Sequence, residues 1–172
     1  MRTKAINLYW GVPLTLLAVF AQAAVMPYIR LGGAIPNLPL VLALCWVLLE
    51  GLGDGMVISL LAGLGVDGLS GGPFGLSMIS MALTSALAGV AEANVFRSAR
   101  FLPYIMVCLA SPLYDGVYLG LSALLRSEFL PAMLIWRIVL PGMLLNVLLM
   151  PLVYHPLKAL CARNQPRKAG WE

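Results

Sequence analysis

Residues 101–125 read FLPYIMVCLASPLYDGVYLGLSALL, a run whose only formal charge is Asp115. A helix needs about 20 apolar residues to cross the hydrocarbon core of a bilayer, so this run is long enough to span it. The rest of the chain agrees, because 61% of its 172 residues are hydrophobic and only 10% are charged. A soluble domain of this length could not bury so much apolar surface. The sequence therefore predicts an all-α integral membrane protein.

Six apolar segments can be drawn along the chain. They cover Leu8–Ile29, Pro36–Leu49, Met56–Val66, Pro73–Ala91, Phe101–Leu125 and Leu130–Tyr154. Together they predict a six-helix transmembrane bundle, forming one polytopic domain over residues 1–172 with residues 155–172 as a basic cytoplasmic tail. The second and third segments are short and flank the glycine-rich stretch Glu50–Gly55. They form either a tight hairpin or two partial helices that dip into the bilayer and return, and we favour two short spans.

The first segment has two interpretations. Basic residues precede an apolar stretch, and Ala21-Gln22-Ala23 resembles the cleavage site of a secretory signal peptide. The alternative is an uncleaved first span, with Trp10 at one membrane interface and Tyr28 at the other. We favour the uncleaved span.

The basic residues predict the orientation of the bundle. With six crossings and a cytoplasmic N-terminus, only Arg30 and Arg126 lie outside, and Arg137 lies within a span. The cytoplasmic side then receives the other eight basic residues: Arg2, Lys4, Arg97, Arg100, Lys158, Arg163, Arg167 and Lys168. This asymmetry follows the positive-inside rule and places both termini in the cytoplasm. We therefore interpret the net charge of +4 as an orientation signal and expect no nucleic-acid partner.

The densest local pattern is the stretch GLGVDGLSGGPFG, residues 63–75. Here Asp67 closes one apolar run, a glycine-rich turn follows, and Pro73 opens the next helix. We expect Asp67 to accept hydrogen bonds from the free N–H groups of this turn or of the next helix. The turn superficially resembles a phosphate-binding loop, but no lysine follows it and no strand precedes it, so nucleotide binding is not expected.

Small residues at four-residue spacing predict close contacts between helices. Ser85, Gly89 and Ala93 follow this spacing in the fourth segment, and Gly116 and Gly120 follow it in the fifth. Apolar burial does not drive helix association in lipid, so small residues that let backbones approach become important. We favour packing inside the bundle over an interface with a partner.

Two ionisable residues lie deep in the last two segments. At about 1.5 Å of rise per residue, Asp115 and Arg137 lie roughly 15 and 10 Å below the outer boundary. An antiparallel hairpin brings them almost level, and lone charges at that depth are costly. We therefore predict an intramembrane Asp115–Arg137 ion pair. The alternative is that Arg137 extends outward alone while Asp115 is buried in its neutral form.

The sequence contains no pattern typical of an enzyme. Cys45, Cys108 and Cys161 lack the spacing of a metal site or a disulfide framework, and the single histidine, His155, follows the last segment. No nucleophile has a base at a recognisable spacing. We expect no catalytic residue, no metal and no cofactor.

Two stretches carry a resemblance to a known family. A polar break followed by Pro36-Asn37-Leu38-Pro39-Leu40 resembles the start of the second span in the rod-shape-determining MreD family. The run Gly63-x-Gly65-x-Asp67, followed by Gly71-x-Pro73-x-Gly75, is similar to that family's most recognisable stretch. Chain length, the six segments and the basic tail agree with the family. Gly68 departs from it, since a bulky apolar residue is expected after the aspartate.

The resemblance implies a function. MreD proteins are scaffold or regulatory subunits of the cell-elongation machinery, which acts on peptidoglycan synthesis at the cytoplasmic (inner) membrane of rod-shaped bacteria. They associate with the single-span protein MreC and, through it, with MreB, the glycosyltransferase RodA and a class B penicillin-binding protein. The family's fold is similar to that of substrate-binding components of energy-coupling-factor transporters. The positions that become candidates for partner docking or helix packing are Pro36, Asn37, Gly63, Asp67, Gly71, Pro73, Gly75, Ser85 and Gly89.

Two other functions stay open. A vitamin-binding transporter component typically carries Ala-x-x-x-Ala on its first span, but here Ala18, Ala21 and Ala24 are followed four places later by Gln22, Val25 and Tyr28. A lipid-binding or lipid-flipping protein needs a polar groove, which Asp115, Arg137 and Asn146 could line. We favour the scaffold function over both.

Overall fold

The protein is a bundle of α-helices. The computed structural model describes residues 2–95, 101–126 and 132–164, and side chains over residues 9–92, 101–125 and 136–162. The helices in these ranges are α1 (Arg2–Ala24), α2 (Leu38–Glu50), α3 (Leu52–Ser70), α4 (Leu76–Val95), α5 (Leu102–Arg126) and α6 (Ala132–Asn164), with a short 3-10 helix at Met26–Tyr28. The described residues contain no β-strand beyond an isolated bridge between Leu31 and Ala34.

Among the residues whose side chains are described, four helices carry a stretch long and apolar enough to cross a membrane. These stretches are Tyr9–Tyr28, Leu52–Ser70, Leu102–Leu125 and Trp136–Ala162. The apolar parts of α2 and α4 are shorter, Leu38–Glu50 and Leu76–Glu92. The predicted all-α, multi-pass class is therefore confirmed, while six complete crossings stay a prediction.

Helix α2 forms the centre of the bundle. It packs against each of the other five helices, and its residues Pro39 to Val47 are all buried. A helix that is apolar on every side belongs in a core. At about 1.5 Å per residue α2 is roughly 20 Å long, which is less than the hydrocarbon thickness of about 30 Å. The chain reaches α2 through non-helical residues that include the buried Ala34 and Pro36.

The glycine-rich stretch after α2 is a tight hairpin. Only Gly51, with a φ of 93°, separates α2 from α3. Helix α3 begins at Leu52, earlier than the predicted Met56, and so includes Gly55. A Cβ on Gly55 would lie 2.7 Å from Val47 Cα, so the two helices approach closely only because this residue has no side chain. Packing extends the helix through glycines that the sequence pattern assigned to a linker.

Two other boundaries differ from the sequence prediction. Helix α4 begins at Leu76 rather than Pro73, because Gly71 and Gly75 have φ angles of 64° and 96° and keep Pro73 within a turn. Helix α6 continues past residue 154 to Asn164, so the first part of the predicted tail is helical. Its apolar face persists there, with Leu157 and Cys161 buried. Of the predicted orientation pattern, Arg97, Arg100, Arg167 and Lys168 lie outside the described residues.

Candidate functional site

Asp67 joins the end of α3 to the start of α4. Its Oδ2 accepts hydrogen bonds from the backbone N–H groups of Gly75 at 2.9 Å and Met78 at 3.1 Å, and its Oδ1 accepts one from Ser77 at 2.9 Å. The first N–H groups of a helix have no partner within the helix, and they carry partial positive charge that favours an anion. Asp67 is buried, and its carboxylate pairs with the free N–H groups at the start of α4. The acceptor role predicted from the sequence is confirmed.

A second polar cluster satisfies the start of α2. The backbone N–H of Asn37 donates to Asn146 Oδ1 at 2.6 Å, and the Asn37 side chain accepts from the N–H of Leu40 at 3.1 Å. Leu38 N–H donates to Gln22 Oε1 at 2.9 Å. Side chains from α1 and α6 therefore supply acceptors for the free N–H groups of a third helix.

This cluster lies deep in the bundle. Asn146 Nδ2 donates to Ser111 Oγ at 3.1 Å, which adds α5 to the contacts around the start of α2. At about 1.5 Å per residue, Ser111 is roughly 21 Å from Leu125, and Asn146 is roughly 15 Å from Trp136. Non-helical backbone at such depth is tolerated only where protein surrounds it and its polar groups are paired. The side-chain amides of Gln22 and Asn146 provide hydrogen-bond partners for the backbone where the non-helical residues meet α2.

Tyr114 connects the two polar clusters. The side chain of this buried residue of α5 lies beside those of Ser77 and Asn37. Ser77 also donates its N–H to Asp67, and Asn37 caps α2. The starts of α2 and α4 are therefore held together by one chain of contacts through α5.

The small residues of α3 and α4 pack inside the bundle. A Cβ on Gly63 would lie 2.7 Å from the backbone N of Met78, and one on Gly89 would lie 2.6 Å from Leu52 Cδ1. Ser85 is fully buried, and its hydroxyl is hydrogen-bonded to that of Ser59 on α3 at 2.6 Å. Gly63, Ser85 and Gly89 therefore lie at helix–helix contacts of this chain. The side chain of Ala93 lies outside the described residues.

The small residues of α5 differ, because they lie on an open surface. Gly116 and Gly120 are exposed, and a Cβ on either would meet nothing within 4 Å. Exposed leucines continue the same side of the helix, with Leu113 before the glycines and Leu124 after them. We call these four residues the α5 glycine face. The internal packing favoured from the sequence is therefore wrong for this pair in the described structure.

The glycine-rich turn between α3 and α4 is at the surface. Gly71 is exposed, Pro73 and Gly75 are half-buried, and Phe74 has an exposed fraction of 72%. Gly68, the residue that departs from the family pattern, faces open space. This turn therefore presents a large apolar side chain, Phe74, outward between Pro73 and Gly75.

Asp115 and Arg137 have different surroundings. Asp115 is half-buried, and its Oδ2 lies 4.0 Å from where a Cβ on Gly142 would be. Arg137 is exposed, beside Gly32 and Pro141. The contacts between α5 and α6 place Asp115 opposite Gly142, about one and a half turns from Arg137. The Asp115–Arg137 ion pair stays a prediction.

Within the described residues, no group of three or more His, Cys, Asp or Glu side chains could hold a metal ion. The cysteines are free thiols, and Cys45 and Cys161 are buried. His155 is exposed, with its Nδ1 2.9 Å from the carbonyl oxygen of Pro151 one turn earlier. The His155 contact therefore lies within α6 and joins its side chain to the backbone of the same helix.

The helices and their buried polar contacts define a multi-pass membrane protein whose polar groups serve helix ends and helix contacts. The chain matches a family model over residues 4–163, nearly its whole length, and that family is described as MreD, rod shape-determining protein MreD. The chain therefore belongs to the MreD family, which gives it a role in rod-shape determination. Comparisons with curated proteins and with solved structures gave no significant match.

Sequence reasoning missed the residues that pair with the start of α2. The sequence patterns place Gln22 in a cleavage-site or transporter-helix motif and Asn146 in a polar groove, and they predict no role for Ser111 or Tyr114. Gln22 and Asn146 each place an amide inside a long apolar run, and a polar side chain at membrane depth usually has a partner. That position alone indicates that each amide is paired. The identity of that partner depends on the fold.

Proposed function

We propose that this protein is a scaffold or regulatory subunit of the bacterial cell-elongation machinery, and that it binds the transmembrane helix of MreC. Membership of the MreD family supports the role in rod shape. The α5 glycine face supports the mode of binding. Contacts with MreB, RodA and a class B penicillin-binding protein are indirect in this proposal and pass through MreC. The protein contributes binding, not catalysis, to peptidoglycan synthesis.

The α5 glycine face fits a single helix in a membrane. Helices in lipid associate by close packing, and glycines four residues apart let a partner backbone approach. Gly63 and Gly89 already receive neighbours from within this bundle, whereas Gly116 and Gly120 do not. The exposed fractions of Leu113 and Leu124, 37% and 80%, leave apolar side chains free on either side of the glycines. A partner helix seated there would gain packing that lipid tails do not provide.

The proposed orientation places both termini in the cytoplasm of a protein of the inner membrane. An even number of crossings leaves the basic C-terminal end on the same side as Arg2 and Lys4, as the positive-inside rule requires. A cytoplasm-dependent fluorescent reporter fused to the C-terminus is expected to be active in cells. A periplasm-dependent phosphatase reporter fused at the same position is expected to be inactive, and the opposite pair of results would overturn the orientation.

The docking proposal is tested by placing large side chains on the α5 glycine face. Gly116→Leu and Gly120→Leu place a side chain where the structure has open space, so we expect the bundle to keep its unfolding temperature. Co-purification with MreC is expected to fall about tenfold or more, since over-filling a packed contact costs about 1–3 kcal/mol. Gly68→Leu is the matched control, because Gly68 also faces open space but lies on α3.

The same variants have a cellular readout. In a strain that lacks the gene, we expect Gly68→Leu to restore rod shape and Gly116→Leu to leave the cells rounded. If Gly116→Leu and Gly120→Leu retain both MreC and rod shape, the helix docks elsewhere. If MreC never co-purifies with the wild-type chain, the partner assignment itself is wrong.

A further inference from the structure

A cleft lies where the connection between α1 and α2 meets the start of α6. Gly32, Trp136, Arg137, Leu140 and Pro141 line this open cleft of about 680 Å3. The connection approaches the helix closely, since a Cβ on Gly32 would lie 3.6 Å from Pro141 Cγ. Arg137 therefore lies in a shallow, open cleft between the connection and the helix. We call it the Arg137 cleft.

Arg137 lies on the outward side of α6. Arg137 and Trp136 are exposed, whereas Val139 and Gly142 are buried against the bundle. Helix α6 begins at Ala132, so Arg137 lies about 8 Å along the helix, and its long side chain can extend outward to the boundary between hydrocarbon and headgroups. An arginine at this boundary needs an anion or water, and its planar fork matches phosphate oxygens. Trp136 is an aromatic residue of the type that favours the same boundary.

An apolar track leads from the cleft along the same side of the helix. Leu140, Leu144 and Leu148 are spaced one turn apart, and their exposed fractions are 46%, 59% and 74%. Residues four apart lie one above the other on a helix. A molecule with a phosphate at Arg137 and a hydrocarbon chain would therefore contact all three leucines. Free phosphate would use only the cation.

We propose that the Arg137 cleft binds the phosphate group of an anionic membrane lipid, with an acyl chain lying along Leu140, Leu144 and Leu148. This site is distinct from the α5 glycine face and does not depend on MreC.

Native mass spectrometry of the purified full chain, released from detergent micelles, tests the proposal. The probes are phosphatidylglycerol, diacylglycerol with the same acyl chains, and inorganic phosphate. We expect phosphatidylglycerol to bind at least about tenfold more tightly than diacylglycerol, as a charge-assisted hydrogen bond implies. Arg137→Gln is expected to remove most of this preference, and Arg137→Lys to keep part of it.

Arg30→Gln is the matched control. Arg30 is also an exposed cation in the connection between α1 and α2, but its Nε donates to the carbonyl oxygen of Pro27 at 2.7 Å. We expect this variant to bind phosphatidylglycerol like the wild type. Equal binding of the two lipids by the wild type would overturn the proposal without any variant, as would unchanged binding by Arg137→Gln. Displacement of phosphatidylglycerol by an equal concentration of inorganic phosphate would assign the cleft to free phosphate and overturn the lipid assignment.

Discussion

Removing the carboxylate of Asp67 should destabilise the α3–α4 hairpin. Asp67→Ala leaves three backbone N–H groups at the start of α4 without their acceptor. Ser77 is buried, so its orphaned N–H costs about 1–3 kcal/mol. The N–H groups of Gly75 and Met78 belong to half-buried residues, and each lost bond there costs about 0.5–1.5 kcal/mol. We expect a loss of about 3 kcal/mol in the free energy of unfolding.

Asp67→Asn should give a smaller loss. An amide keeps one acceptor oxygen but directs an N–H₂ group at a backbone donor, so we expect about half the effect of Asp67→Ala. The assay is SDS titration of the purified chain in mixed micelles, followed by circular dichroism of the helices. The expected order of stability is wild type, Asp67→Asn, then Asp67→Ala.

Asp54→Ala is the control for removing a carboxylate from the same helix. Asp54 lies in the first turn of α3, and its buried Oδ2 has no hydrogen-bond partner among the described residues. We expect a change within about 1 kcal/mol, the scale of a helix-terminus charge effect. If Asp67→Ala and Asp54→Ala unfold at the same SDS concentration as the wild type, the capping argument is refuted.

Three further predictions concern other contacts. Gly63→Ala should lower the free energy of unfolding by about 1–3 kcal/mol, because its Cβ would meet the backbone of α4. Gly68→Ala should be neutral or stabilising by up to about 1 kcal/mol, because its Cβ would meet nothing. SDS titration of the two variants checks this difference. Asn146→Leu should lose about 1–3 kcal/mol, because it removes both the acceptor of the part-buried Asn37 N–H and the donor to the buried Ser111 hydroxyl, each bond being worth about 0.5–1.5 kcal/mol. A lowered unfolding temperature would reveal this loss, and an unchanged one would contradict it. If Asp115 and Arg137 form the predicted ion pair, the changes in unfolding free energy caused by Asp115→Asn and Arg137→Gln should be non-additive in a double-mutant cycle. Strict additivity would show that the two residues are not paired.

The apolar runs predicted the helices well because lipid leaves few alternatives. Backbone polar groups in hydrocarbon must be paired within the segment, so a long apolar run in such a chain forms a helix. The run over residues 101–125 and helix α5, Leu102–Arg126, nearly coincide. The carboxylate of Asp67 was also predictable, since an acid followed by a glycine-rich turn and an apolar run suits a helix start.

The parts that sequence could not predict depend on packing between distant segments. Gly89 and Gly116 both belong to a pattern of small residues four apart, yet a Cβ on Gly89 would meet Leu52 and one on Gly116 would meet nothing within 4 Å. Their one-dimensional patterns are equivalent, and only the arrangement of α4 and α5 distinguishes them. The contact between Asn37 and Asn146 joins residues far apart in the chain, so local spacing contains no record of it.

Crosslinking in living cells tests the central claim most directly. A photoreactive amino acid at Leu113, on the α5 glycine face, is compared with one at Leu87, an outward residue of α4 with an exposed fraction of 54%. We predict a crosslink to the transmembrane helix of MreC from position 113 and none from position 87. A crosslink from position 87 alone would contradict the docking of that helix on α5.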